Sequence, residues 1–352
     1  MIGASAFSEA ELTSVTIPEG ITEIRRNAFA RNKLTGITIP GSVTVIGGEA
    51  FGYNQLKNVV IPEGVTEVGH GAFASSELAS ISFPSTIQTI GGELTFVTAA
   101  TVILGANITV DVTAAARGAF GETVFYNYIA NDRQAGTYTS NMPCAKKTAD
   151  NFEYYETQYG AVINGWKGSG TRLRIPAELG GKPVKAIGLG EFRSVFSSKG
   201  LGAIQLPDSL TYIGSGAFYH NGLASVTIPG NVTYIGDKAF STNVMTSVTI
   251  PGSVTYIGKE AFYDNNLASV TIDSGVTRIG GKAFAHNKLS SVSIPGSVIM
   301  IEEGAFSENQ LTSVTIAEGV TELSGFDKNR LTSVAIPKSV KTIGDWAFSQ
   351  PA

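Results

Sequence analysis

The chain has a single cysteine, Cys144, in 352 residues. That excludes an internal disulfide framework and a cysteine-built zinc cage, but it does not fix the compartment, because a stacked core needs no disulfides. Charge is also scarce: Asp, Glu, Lys and Arg together make 15% of the chain, against roughly 25% in an average globular protein. The formal net charge is −4 and no basic block occurs, so the footprint of a nucleic-acid partner is missing. No apolar run approaches the ~18 residues that would mark a membrane-spanning helix. What is abundant is glycine, with 41 residues, above the usual ~7%. Low charge and high glycine suit stacked strands joined by tight turns.

Those glycines recur in order. Leu12, Leu34, Leu56 and Leu78 open successive segments of 22 residues. A second series starts at Leu201 and Leu223, has Met245 in the leucine place, and continues through Leu267, Leu289 and Leu311. The last step, to Leu331, is 20 residues. A period of this length marks a solenoid. With Leu223 as position 1, the apolar positions are Leu223, Val226, Ile228, Val232, Ile235, Ala239 and Phe240. Val226-Thr227-Ile228 alternates in, out, in, as a half-buried strand does. Pro229-Gly230 turns the chain. Val232 to Ile235 reads as a second short strand, and Gly236 begins a compact turn or short 3₁₀ segment that carries Ala239 and Phe240 inward. No single coil can cover these side chains, so each must pack against its copies above and below.

Position 21 is asparagine at Asn32, Asn54, Asn221, Asn243, Asn265, Asn287, Asn309 and Asn329. A polar residue at a fixed inward turn predicts a ladder of amides bonded to backbone groups of adjacent coils. Together the motif L-x-x-V-x-I-P-x-x-V-x-x-I-G-x-x-A-F-x-x-N resembles the BspA-like, or Treponema pallidum-type, leucine-rich repeat. It departs at one place, because many members of that family carry cysteine where these asparagines stand. The resemblance implies a right-handed, curved leucine-rich-repeat superhelix. It also implies a bacterial surface or secreted protein that binds host proteins, extracellular matrix or other bacteria. The family motif has no catalytic residue to carry over.

The expected fold is thus a β-rich repeat solenoid in two blocks joined by a β-hairpin-containing insert. Residues 1–122 form the first leucine-rich-repeat block, with 101–120 as a stretched closing coil whose Val102, Leu104, Ile108 and Phe120 keep the inward pattern. Residues 123–172 form the insert. In it, 123–129 and 135–139 read as a hairpin around an Asn131-Asp132 turn that pairs the open edge of the first block. Residues 140–151 read as an exposed linker, and 152–172 as an amino-terminal cap. Residues 173–352 form the second block, with a kink expected after Leu311. Met1-Ile2-Gly3-Ala4-Ser5-Ala6-Phe7 reproduces the Ile-Gly-x-x-Ala-Phe half of a repeat, so the chain reads as starting inside one, without a signal peptide.

Chemistry is sparse along this pattern. His70 falls at position 15, and His220 and His286 at position 20, three coils or ~15 Å apart. None sits at metal-ligand spacing. No nucleophile elbow, triad or phosphate loop occurs, so neither an enzyme nor a cofactor or metal site is expected. The remaining candidates are surface rows. Position 12 reads Tyr212, Tyr234, Tyr256, Arg278 and Met300, where the first block has Glu23, Val45, Glu67 and Thr89. Tyr219 and Tyr263 add aromatics at position 19. Exposed tyrosines beside Arg278 would anchor a protein partner or stack on a glycan; alternatively, a tyrosine ladder only stabilises neighbouring strands. A Ser/Thr array at positions 3 and 5 would suit ice or crystalline polysaccharide, although β propensity explains it as well. Three functions stay open: a non-catalytic adhesion or protein-binding repeat protein at the cell surface or outside the cell, a glycan-binding module, and a structural spacer.

Overall fold

We analysed a computed structural model, which describes residues 1–76, 78–87, 89–90, 96–104, 127–128, 130–132, 134, 136–139, 144–188 and 195–349. The chain divides into two compact units. One is Met1–Ala145 with Thr157–Tyr159, and the other is Lys146–Glu156 with Gly160–Ala352. Both are leucine-rich-repeat β-solenoids.

The 22-residue period is also the structural period. In the first unit Glu23–Ile24, Val45–Ile46, Glu67–Val68 and Thr89–Ile90 form a parallel sheet in which each residue faces its copy 22 positions on. In the second unit the same ladder runs through Tyr212–Ile213, Tyr234–Ile235, Tyr256–Ile257, Arg278–Ile279 and Met300–Ile301. These strands are two residues long because position 14 turns away at once. A Cβ on Gly236 would stand 2.5 Å from the Ser215 nitrogen of the coil before, so the coils can approach this closely only without a side chain there. The upstream strand of each coil pairs in register too, as Ser247–Ile250 does with Ser269–Ile272.

Inside the coil, Leu223, Ile228, Val232, Ile235, Ala239 and Phe240 are buried. Phe240 and Phe262 point inward and stack with centroids 5.3 Å apart, within a phenylalanine column that runs from Phe196 to Phe348. Phe7, Phe29, Phe51 and Phe73 form its counterpart in the first unit. Each such side chain contributes ~1.5–3 kcal/mol on burial, which offsets the ordering of its own coil only because neighbours cover both faces.

The turn over positions 14–21 is not a 3₁₀ segment. Positions 16 and 20 take left-handed backbone, as at Lys238 (φ 55) and Thr242 (φ 55), and the turn hydrogen-bonds like a strand. Its bonds run against those of the sheet. In the sheet, Gly258 N–H donates back to Ile235 of the preceding coil (2.8 Å). In the turn, Lys238, Phe240 and Thr242 N–H donate forward to Lys259, Ala261 and Tyr263 of the next coil (2.8–2.9 Å). Every coil is therefore bonded to its neighbours in both senses. The asparagine ladder closes the same turn. Asn265 Oδ1 accepts from Met245 N–H (3.2 Å), and its Nδ2 lies 3.0 Å from the Phe240 carbonyl of the preceding coil and 3.2 Å from that of Phe262. The same set recurs at Asn32, Asn54, Asn221, Asn243, Asn287, Asn309 and Asn329.

Two expectations change, and a third is met as far as the described residues reach. Of the hairpin over 123–139, Gly136–Thr139 is a strand, but its partner is Phe96–Leu104, antiparallel to it. Asn127, Tyr128 and Ala130 are helical, and residues 123–126 lie outside the described set. As expected, this strand pairs the open edge of the first unit's parallel ladder. Of the expected linker, Cys144–Ala149 is a strand at the end of the long sheet next to Phe152–Thr157. Lys146 and Lys147 pair there with Glu153 and Glu156. Phe152–Thr157 and Ala161–Trp166 then form an antiparallel pair at the start of the second solenoid, and Ala161–Trp166 continues parallel to Lys182–Ile187. Of the closing coil, Val102 and Leu104 are buried, while Ile108 and Phe120 lie outside the described residues.

Replacing Asn265 by alanine orphans the buried Met245 N–H, while the Phe240 and Phe262 carbonyls keep the amides of Asn243 and Asn287 as donors. At ~1–3 kcal/mol for a buried group left unbonded, Asn265→Ala should cost about 2 kcal/mol. Chemical denaturation followed by circular dichroism measures this, and a loss within about 0.5 kcal/mol would make the ladder incidental.

Candidate functional site

Position 12 forms one continuous row along the long sheet of the second unit: Ala186, Tyr212, Tyr234, Tyr256, Arg278, Met300, Glu322 and Thr342. The row is less exposed than its sequence suggests. Tyr212 is 3% and Tyr234 4% exposed, so neither is a surface anchor. Copies one strand apart stack face to face, Tyr212 on Tyr234 at 4.6 Å and Tyr234 on Tyr256 at 5.1 Å, and each ring removes its neighbour's face from water. For these two residues the strand-stabilising role is the one realised.

The stack ends at Tyr256 and Arg278, both half-buried. The Arg278 guanidinium lies 6.0 Å from the Tyr256 centroid. Its Nε donates to Glu302 Oε1 (2.6 Å), and Glu302 Oε2 accepts from Gly281 N–H (2.8 Å). Arg278 is thus held between a ring and a carboxylate, with its side chain 34% exposed. The first unit shows a related pair at a different position, with Arg31 lying 4.6 Å from the Tyr53 centroid.

Tyr219 is 37% exposed and lies beside His220 at 5.8 Å. Tyr263 is half-buried and packs on His286 at 4.9 Å. Burial, reinforced by Asp264, raises the Tyr263 phenol above its ordinary value. His286 Nε2 lies 2.7 Å from Glu308 Oε2, and Lys328 Nζ lies 2.7 Å from Glu308 Oε1. The Lys328 hydrogen bond holds the Glu308 carboxyl below the usual carboxylate range, against desolvation. Sequence reading overlooked this cluster. Its signal was available, since His286, Glu308 and Lys328 share one position in successive coils. His220 and His286 remain apart, and no group of three or more His, Cys, Asp or Glu that could hold a metal ion occurs among the described residues. The Ser/Thr array is exposed and in register, as at Ser247 against Ser269 and Thr249 against Thr271.

Tyr234→Ala should lower stability by about 3 kcal/mol or more, whereas Tyr219→Ala should stay within about 0.5 kcal/mol; thermal denaturation of the two variants separates a core ring from a surface one. Because the Glu308 carboxyl is depressed on folding, its contribution is present above the unfolded value of about 4.3 and is lost as pH falls through the folded one. The difference between wild type and Glu308→Gln should therefore be below about 1 kcal/mol at pH 7 and vanish on acidification. A difference that grows toward low pH would reverse the assignment.

Solved structures with the same kind of repeat are similar to this chain at low identity. A leucine-rich cell surface protein from Faecalibacterium prausnitzii is 21% identical over 89% of this chain, with a TM-score of 0.33, and this chain spans 62% of its length. A leucine-rich repeat protein from Eubacterium ventriosum is 18% identical over 94% of this chain and 81% of its own, also at a TM-score of 0.33. One from Bacteroides ovatus is 18% identical over 97% of this chain and 71% of its own, at 0.29. No curated protein matches. The decisive likeness is in sequence. The profile of the BspA type Leucine rich repeat region matches residues 1–99, 184–287 and 242–351, in six copies. That is well over half the chain, and the matched positions are those that build the phenylalanine column and the asparagine ladder. This chain belongs to the BspA-type leucine-rich repeat family.

Proposed function

We propose that the chain is a non-catalytic repeat protein that binds a protein partner through the sheet face of the second unit carrying Tyr256 and Arg278. The observation that carries this reading is the Tyr256–Arg278–Glu302 arrangement at the end of a rigid aromatic stack. A half-exposed tyrosine and a guanidinium already fixed in place lose little freedom on binding, and these two residue types dominate interface energetics. Tyr219 and Tyr263 flank the row from the neighbouring turns. Tyr212 and Tyr234 serve it from inside, by holding Tyr256 in position. The family and the surface protein from Faecalibacterium prausnitzii support a place on a bacterial cell surface or outside the cell. Among the described residues, no helix is long and apolar enough to cross a membrane.

A glycan-binding role is less well supported at this row. Stacking a sugar needs a free ring face, and Tyr256 has Tyr234 on one face and Arg278 on the other. Tyr219 is the tyrosine of this set with the most exposed ring. The spacer reading requires that none of these residues affects binding.

The test captures partners from host matrix extract with wild type, Tyr256→Glu and Arg278→Glu, beside a glycan array. Both variants should keep the wild-type circular dichroism spectrum at room temperature and lose capture at least tenfold. Undiminished capture by both removes this face from the account. Saturable glycan retention lost on Tyr219→Ala favours the glycan module instead.

A further inference from the structure

We infer that the second unit carries a cleft that takes the lysine or arginine side chain of a partner polypeptide, at the one coil that is two residues short. In that coil Leu323-Ser324-Gly325-Phe326 stands where Ile279-Gly280-Gly281-Lys282-Ala283-Phe284 stands two coils earlier. Phe326 keeps its place in the column, 5.2 Å from Phe306 and 5.6 Å from Phe348, so the core is not interrupted. The missing residues are therefore taken from the outer part of the turn. Gly325, at φ +84, is drawn in so far that a Cβ there would stand 2.4 Å from the Glu302 carbonyl oxygen and the Ala305 nitrogen.

The ladder opens at this point. Successive second strands pair at two residues, but here Met300 faces Glu322 and the Ile301–Leu323 pairing is absent. Position 14 donates to the coil before from Gly236, Gly258, Gly280, Glu302 and Gly344, whereas Ser324 makes no such bond to Ile301 among the described residues. A cavity of about 360 Å³ lies there, bordered by half-buried Met300 over the buried Ile301 and Leu323, and by Glu303, Glu322 and Ser324. That is the low end of ligand-site volumes, ~300–1,000 Å³, which suits one long side chain.

Charge selects the occupant. Glu302 also borders the cavity, but Arg278 and the Gly281 N–H already engage it. Glu303 and Glu322 have no ion-pair partner among the described residues. Two uncompensated carboxylates and the Ile301 carbonyl are all acceptors. A lysine ammonium or arginine guanidinium offers donors only, and its aliphatic stem can lie along Met300. The cleft interrupts the same row that carries Tyr256 and Arg278, so the inference rests on the reading that this face meets a protein.

The test titrates isotope-labelled protein with Nα-acetyl-lysine N-methylamide and with its norleucine analogue, following backbone amide shifts. The lysine compound should move the Gly304, Glu322 and Ser324 amides saturably, and the norleucine compound should not. Glu303→Gln combined with Glu322→Gln should weaken binding at least fivefold, while Glu67→Gln in the first unit changes it less than twofold. Replacing Ser324-Gly325 by Gly-Asp-Lys-Ala, which restores the two missing residues, should fill the cleft and abolish the shifts. Equal shifts with norleucine, unchanged binding by the double variant, or shifts with calcium chloride but not with lysine each overturn the cleft. If the lysine compound fails while Tyr256→Glu still abolishes partner capture, the cleft falls and the sheet reading stands. If lysine binds as described but capture ignores Tyr256 and Arg278, the cleft stands and the sheet reading falls.

Discussion

The structure depends on in-register covering of one coil by the next. A coil of 22 residues is one strand spacing thick, so its apolar side chains meet water on both faces unless an identical coil lies on each side. That demand falls on several interactions at once. The phenylalanine column, the asparagine bonds and the two oppositely directed backbone ladders all read the same period. A slip of one residue would break all of them together, which is why the spacing stays at 22 over so many coils.

The stacking that builds rows on the surface also decides how much of each row remains surface. Aromatic residues one strand apart cover one another, and of this tyrosine run only the carboxy-terminal end stays available. Tyr256 has that position because Arg278, not a fourth tyrosine, follows it. Ion pairs along the turns, such as Lys238 with Glu260 and Lys328 with Glu308, follow the same geometry. Being exposed, they add little to stability and mainly pattern the charge of the surface.

A shortened coil shows how a repeat protein gains a feature that its consensus lacks. Dropping two residues from a core position would misalign the column. Dropping them from the outer turn leaves Phe326 stacked and moves the defect outward, where the ladder opens and carboxylates of adjacent coils border a cavity.

The period, the inward residues and the asparagine ladder were legible in the sequence because each is a local pattern repeated many times, and repetition separates an inward position from chance. The candidate row was legible as a row, since equivalent positions must align. Its burial was not, because whether a tyrosine faces water depends on the rings stacked above and below it, and those contacts exist only between coils. The strand role of Cys144–Ala149 and the helical turn at Asn127 and Tyr128 were hidden for a related reason: both occur once, outside the period, and long-range pairing decides them. The sequence alone thus determined which residues form the core and how often they return. Tertiary packing decided which surface residues are truly outside, since exposure is set by neighbouring coils and not by the residue itself.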